Sequence, residues 1–362
     1  VNQKIGFSLI GLLFLIGALA GCVISPRRTL GESPSPSTTP SPTPTATPIP
    51  TPTPTPVPVA TGLLYVTSGS QNSVVRFGNA FTASGNVSPS ATISGAATSL
   101  STPVYLALDS SADRLFVASR GSASILIFDQ ISTKTGNAAP DRVITGVATN
   151  LFLPIQPFLD KGRDLLYVAD DIDVLVFAAA STANGNVAVS RDIQVGFSVG
   201  AVFVDTVGDR LFLADPTGNT INVYDNASIL NGIATPTRQI SGAATGLGTP
   251  AGLQIDSSGR LAVSNSSPPS VTVYSAAASG NVTPAATISG SNTGFVSPNQ
   301  IAFDTTARDT LYVADPGSGK ISVFTSFSSA NGNLAPTRTI SGAATTLTTT
   351  GQNSGIALDI SR

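Results

Sequence analysis

The sequence predicts an all-β fold of six repeated sheets, and three observations carry that expectation. A short hydrophobic strand of the Leu-Tyr-Val type starts at Leu64, Leu115, Leu166, Leu211, Leu261 and Leu311, spaced by about fifty residues with one shorter interval. A strand ending in aspartate precedes it at Asp109, Asp160, Asp205, Asp256 and Asp304, and one more such strand closes the sequence at Asp359. The composition agrees: charged residues are 10%, methionine is absent, and 34 glycines punctuate runs of Val, Ile, Thr and Ser.

Within a unit the order is constant. The aspartate strand comes first and the "LYVAD" strand second, followed by a strand such as "INVYD" (221–225) or "ISVF" (321–324). A loop with Gly-Asn or Asn-Gly leads to a fourth strand such as "RQISG" (238–242), and "AATGLGTP" (243–250) returns to the next unit. Four short strands in each of six units predict a six-bladed β-propeller over residues 60–362. The first copy, "LLYVTS" (63–68), has no first strand before it, and the last, "GIALD" (355–359), has no second strand after it. In a closed ring the C-terminal strand completes the N-terminal blade and removes two sheet edges.

Aromatic residues recur on the second strand (Tyr65, Phe116, Tyr167, Phe212, Tyr312) and on the third (Phe77, Phe128, Phe177, Tyr224, Tyr274, Phe324). They are expected to form the core between blades, each burying about 150–250 Å². Arg142, Arg191, Arg238 and Arg338 open the fourth strands, and Ala91 and Ala286 replace them in two blades. A residue missing from two equivalent places reads as a surface ion-pair partner contributing under about 1 kcal/mol. The loop "VGFSVG" (195–200) is shorter than its equivalents and predicts either a notch in the rim near 170–200 or simple deletion drift.

Ahead of the repeats, Lys4 precedes an apolar run from Ile5 to Gly21, short for a membrane span and ending in small residues. Leu19-Ala20-Gly21-Cys22 resembles the lipobox of bacterial lipoproteins. The resemblance implies that 1–21 is a signal peptide and that Cys22 is lipidated. Two or three acyl chains would anchor the protein stably. Val23 stands where an aspartate would imply retention in the inner membrane, so an outer-membrane or cell-surface location is expected. Residues 22–59 then read as a Pro/Thr/Ser-rich linker that favours polyproline II. The run 33–58 reaches roughly 80 Å at about 3.1 Å per residue.

The inventory excludes several chemistries. Without histidine there is no Ser-His-Asp or Cys-His catalysis and no His-ligated zinc or haem. Cys22 is the sole cysteine, so no intrachain disulfide forms. A net charge of −2 offers no basic excess to neutralise phosphates, which excludes nucleic acid as the expected partner.

The pattern "GIALD…LYVAD…ISVF" resembles the NHL-repeat and related six-bladed propellers. That resemblance implies fold more than function, since such propellers include lactonases, lyases and binding modules. The lactonase-type relatives hold a central divalent metal with a glutamate, Asn and Asp, and Glu32 is the only glutamate here. The lyase type uses His and Glu, and the quinoprotein type a His base.

Two sets of acidic residues have a metal reading beside a structural one. The strand-end aspartates could ring a channel and hold Ca²⁺, but a feature shared by every blade reads as a turn whose N–H groups the carboxylate accepts. Asp170, Asp171 and Asp173 are the densest acidic group and the weak candidate for a Ca²⁺ site, against a solvated turn. The loops after the second strands diverge between units, and Arg120, Asp170, Asp215, Asn265 and Asp315 are the candidate partner-binding residues there.

The expectation is a monomeric, lipid-anchored, extracytoplasmic propeller at the cell envelope. It would act as a binding or scaffolding module for a protein or glycan, without catalytic residues. The alternative is a metal-assisted hydrolase or lactonase with an atypical Asp/Asn site in the channel.

Overall fold

The computed structural model describes residues 61–304, 306, 308–349 and 355–362. The expected signal peptide, the expected lipidation site Cys22 and the Pro/Thr/Ser-rich segment lie outside the described residues. Six sheets form, in chain order, blades I to VI. Blade II is the simplest: Pro103–Asp109, Arg114–Ser119, Ser124–Asp129 and Arg142–Ile144 pair antiparallel in sequence order. Its first strand begins on proline, where a missing N–H costs no ladder bond. The strands alternate so that both faces bury apolar side chains, as a sheet packed between two others requires.

The first strands of blades III, IV, V and VI are Pro154–Asp160, Ala201–Asp205, Pro250–Ile255 and Ile301–Asp304. In blade I that place is taken by Ile356–Asp359 from the other end of the chain. It pairs antiparallel with Leu63–Ser68 in the register Leu63↔Asp359 to Val66↔Ile356. Thr67 N donates to Gly355 O at 3.0 Å beyond it, and Gln300 Oε1 accepts Ile356 N at 2.7 Å from blade VI. The expected closure of the ring by the C-terminal strand is therefore present.

The core confirms it. Six apolar clusters fill the six junctions between neighbouring blades rather than one centre. Leu64, Val66, Val75 and Phe77 of blade I pack with Tyr312, Ile321, Val323 and Ile340 of blade VI, as Phe116, Ile125 and Ile127 of blade II pack with Leu166, Val168 and Phe177 of blade III. The recurrent second- and third-strand aromatics are all buried in these junctions. Each contributes about 1.5–3 kcal/mol relative to exposure.

An outer fastening repeats around the ring. The Gly of each Gly-Asn loop forms a parallel bridge to the fourth-strand isoleucine of the preceding blade, as in Ile93↔Gly136 and Ile144↔Gly185, and Gly85↔Ile340 closes the circle. The following Asn accepts an N–H from a short 3₁₀ turn: Asn137 Oδ1 from Ala97 N at 2.7 Å, Asn186 Oδ1 from Ala148 N at 2.8 Å. That Asn lies against Gly95 or Gly146, each at a φ near +115°, where a side chain would be strained and would strike the amide. Between blades III and IV the short loop 195–200 has no 3₁₀ turn, and its partner has Ile233 in place of the Asn. Gly232–Ile233 runs there as a fifth, parallel strand beside Arg191–Gln194. The two halves of one fastening are thus lost together. The short loop does not leave an open gap, because Val199 is buried and Phe197 packs on the III–IV core.

Arg142 and Arg238 form the expected ion pairs, with Asp129 at 3.3 Å and Asp225 at 3.9 Å, but the fourth-strand arginines also reach across the junctions to loop carbonyls. Arg191 donates to Ala227 O at 2.8 Å and Leu230 O at 2.9 Å in the next blade. Arg338 donates to Ala80 O at 3.2 Å and Ala83 O at 2.8 Å across the closing junction. Blade I, with Ala91, uses Arg76 of its third strand to reach Ile131 O and Ser132 O instead. A charged donor shared between two loop carbonyls outweighs an exposed ion pair, even where a tyrosine hydroxyl also reaches one of them, as Tyr167 does Ala227 O and Tyr312 does Ala80 O. Arg191→Ala is expected to destabilise the protein by about 2 kcal/mol in urea unfolding. A change within the experimental spread would return Arg191 to the surface-ion-pair class.

Burial raises the phenol pKa of all six tyrosines, Tyr224 and Tyr274 to about 12. In the unfolded chain tyrosine ionises near pH 10, so above that pH the folded state binds more protons than the unfolded state and stability falls as pH rises. The melting temperature should show no tyrosine-linked loss up to about pH 9 and fall steeply beyond about pH 10. A protein equally stable at pH 11 and pH 8 would contradict this.

Candidate functional site

Two regions have chemistry that the repeat does not dictate: the loop rim after the second strands, and the central channel. The strand-end aspartates lie at neither. Asp109 Oδ1 accepts Ser111 N at 3.1 Å, Asp205 Oδ1 accepts Gly208 N at 2.9 Å, and Asp256 Oδ1 accepts Ser258 N at 2.9 Å. Each also meets a cation, as in Arg163–Asp160 at 2.8 Å, Arg260–Asp256 at 2.6 Å, Arg308–Asp304 at 3.1 Å and Arg362–Asp359 at 2.7 Å. For Asp205, burial opposes ionisation, but the Gly208 amide and Arg210 hold its pKa below the usual carboxylate value. These carboxylates brace their own turns, which is the structural reading of the six.

On the rim, the second strand of a blade ends in a polar residue that grips the incoming loop. Asp170 accepts Phe152 N at 2.7 Å and also Leu153 N. Asp315 accepts Val296 N at 2.9 Å and Ser297 N at 2.8 Å. Asn265 Oδ1 accepts Gly248 N at 3.0 Å, and Ser119 Oγ accepts Ser101 N at 2.9 Å. Asp170, Asn265 and Asp315 are buried, so these candidate partner-binding residues face the fold and leave little surface for a partner. Asp215 accepts Thr217 N at 2.9 Å and Gly218 N at 2.7 Å within its own hairpin. Arg120 is half-buried, and its guanidinium has no hydrogen bond or ion pair among the described residues.

The Asp170–Asp173 hairpin does not gather into a metal-ligating set: no group of three or more carboxylates that could hold a metal occurs among the described residues. Asp170 is committed to two amides, and burial raises its pKa despite them, with Asp171 and Asp173 adding to the rise. Burial also raises Asp173, helped by Asp192 and Asp171.

Apolar side chains are what the rim presents outward. Phe152, held by the Asp170 grip, is 68% exposed, and Ile172 at the tip of the same hairpin is 48% exposed. Val296, at the place in the next-but-two blade equivalent to Phe152, is 54% exposed. The sequence signal for the exposed Phe152 is a phenylalanine inside the loop "NLFLP" (150–154).

The channel is built from the first strands. One ring position, the same distance before each strand-end aspartate, holds Tyr105, Gln156, Ala201, Gly252, Gln300 and Gly355. Register shifts at the start of the first strands of blades II, III and V re-aim the side chains there. Tyr105, 4% exposed, crosses from blade II to the far side, where its hydroxyl donates to Ala251 O at 3.1 Å and to Asn299 Oδ1. Glycine is required opposite, since a Cβ on Gly252 would come within 2.6 Å of Asn299 O. Below Tyr105 the channel holds a cavity of about 210 Å³. Its wall is Leu, Ile, Ala and Phe side chains with Gln156, Gln254 and Gln300, and no carboxylate lines it. This lining gives no support to an Asp/Asn metal site for hydrolysis.

No family model matches the chain, and no curated protein does. Among solved structures, a chain from a nidogen/laminin complex superposes with a TM-score of 0.53 at 14% identity, covering 83% of this chain and 99% of that one. A functionally unknown protein from Desulfotomaculum acetoxidans DSM 771 superposes with a TM-score of 0.51 at 11% identity, covering 76% of this chain and 79% of that one. At such identities the likeness is one of fold.

Proposed function

We propose that the propeller is a non-catalytic binding or scaffolding module, held at the cell envelope by acylated Cys22 and presenting its loop rim to a partner. The observation that carries the reading is the division of labour on the rim. Polar side chains turn inward to hold the loops, while Phe152, Ile172 and Val296 stand exposed on a frame whose six junctions each hold an apolar core. An exposed aromatic beside a branched aliphatic suits the apolar centre of a protein interface, with Arg120 as a rim charge. A protein partner is therefore favoured over a glycan.

The test is retention of envelope proteins and glycans by the full-length chain on arrays, beside the variant Phe152→Ser/Ile172→Ser. The reading expects a specific partner, retained by the native chain and lost by the variant, whose melting temperature should stay within about 2 °C because both positions are exposed. Retention of nothing, or retention indifferent to the rim, would overturn it. For the anchor, Cys22→Ser should abolish acyl labelling and move the protein from the membrane to the soluble fraction. A variant that stays membrane-bound would overturn that part alone.

A further inference from the structure

We propose that the channel cavity is a second site, for a small neutral molecule with an apolar body and one carbonyl acceptor, such as a ketone, ester or amide. It is separate from the rim and independent of the partner there. The argument starts from two buried amides. Gln156 is 5% exposed and Gln300 is 7% exposed, and both line the cavity. Their oxygens are already committed: Gln156 Oε1 accepts Val202 N at 3.1 Å and Gln300 Oε1 accepts Ile356 N at 2.7 Å. A strand N–H can only be met by the amide oxygen, so these bonds also fix which end is the NH₂. Neither Nε2 has a hydrogen-bond partner among the described residues. Two donor groups thus face the cavity with no protein acceptor bonded to either, and Gln254 is the one other side-chain amide on its wall.

Two buried donors on a wall of mainly apolar side chains favour an acceptor over a hydrocarbon. The absence of any charged side chain from the lining disfavours a carboxylate or an ammonium, whose desolvation nothing would offset. The wall supplies the apolar share, including Phe158 and Phe203 edge to face at 5.2 Å. The volume is also right. At about 210 Å³ the cavity exceeds the roughly 150 Å³ apolar cavities that take up benzene, leaving room for a ring and a carbonyl group. Tyr105 spans the channel at the ring position it shares with the glutamines, so a ligand reaches the cavity from the end of the channel away from Tyr105.

The probe is acetophenone titrated into the full-length protein and followed by calorimetry and NMR, with ethylbenzene as the isostere lacking an acceptor and benzoate as the charged control. Acetophenone should bind saturably and at least about tenfold more tightly than ethylbenzene, with benzoate weakest. Gln156→Leu should weaken acetophenone about tenfold and leave ethylbenzene unchanged. The native protein answers without a substitution as well: the side-chain NH₂ resonances of Gln156 and Gln300 should shift on saturation with acetophenone. No saturable binding at millimolar acetophenone, equal affinity for ethylbenzene, preference for benzoate, or glutamine resonances that stay in place would each overturn the proposal. In those cases the amides are served by water alone.

Discussion

Deletion of residues 355–362 is expected to lower the melting temperature by about 10–15 °C, equivalent to about 5 kcal/mol. The segment supplies the inner strand of blade I, and its loss leaves Leu63–Ser68 paired only with Ser73–Gly78, as a new sheet edge. Ile356, 2% exposed, leaves the core shared with Leu64, Val66 and Tyr312. Burial of its side chain contributes about 1.5–3 kcal/mol, and each ladder bond about 1 kcal/mol. Deletion also removes the entropy cost of ordering eight residues, so the net loss is smaller than the sum of the contacts. The effect reaches beyond blade I because Gln300 of blade VI loses the Ile356 N–H, and Arg362 no longer meets Asp113 at 3.2 Å in blade II. A deletion variant that melts with the intact protein would mean that the strand merely rests on the ring.

Tyr105→Ala is the second large effect, about 4 kcal/mol by urea unfolding, in the range for removal of a buried aromatic side chain. This tyrosine joins blade II to blades V and VI through the middle of the ring, a cross-tie that no other described hydroxyl makes. Tyr105→Phe keeps the ring and loses the two hydrogen bonds, so about 1–2 kcal/mol is expected. The split between the two variants separates packing from bonding. Equal losses would mean that the hydrogen bonds carry the whole effect, and a loss under about 1 kcal/mol for the alanine variant would remove the cross-tie from the account.

Much of the architecture was legible because repetition amplifies weak signals. One "LYVAD" strand says little, but six in step define a blade order, and the unmatched strand at each end of the repeats predicts the closure. The strand-end aspartates were legible for the same reason: a residue demanded by every blade serves a local turn. Features that join different blades were not. The Arg191 and Arg338 bonds run to loops of the following blade, so the unit containing the arginine shows no partner for it. Tyr105 shares its ring position with Gln, Ala and Gly, and nothing in that spread says that one of them crosses the channel.

The candidate site was read less well, for a specific reason. In the sequence, divergence among the loops after the second strands reads as freedom to evolve a contact. Ser119, Asp170, Asn265 and Asp315 instead perform one task, holding backbone amides of the incoming loop, with three different side-chain types. Hydrogen-bond acceptors are interchangeable at such a place, so sequence variety there does not require variety of function. The exposed Phe152 and Ile172 are the residues on the same rim that the fold does not need.

The central claim is that the two ends of the repeat region share one sheet, and amide hydrogen exchange on the intact protein tests it most directly. If blade I is closed, the amides of Tyr65, Thr67 and Ala357 should be protected to the same degree as those of Phe116 and Ala118 in blade II, where the same inner pairing is made within one unit. Exchange at Tyr65, Thr67 and Ala357 as fast as in the exposed loops, with blade II still protected, would contradict a closed ring.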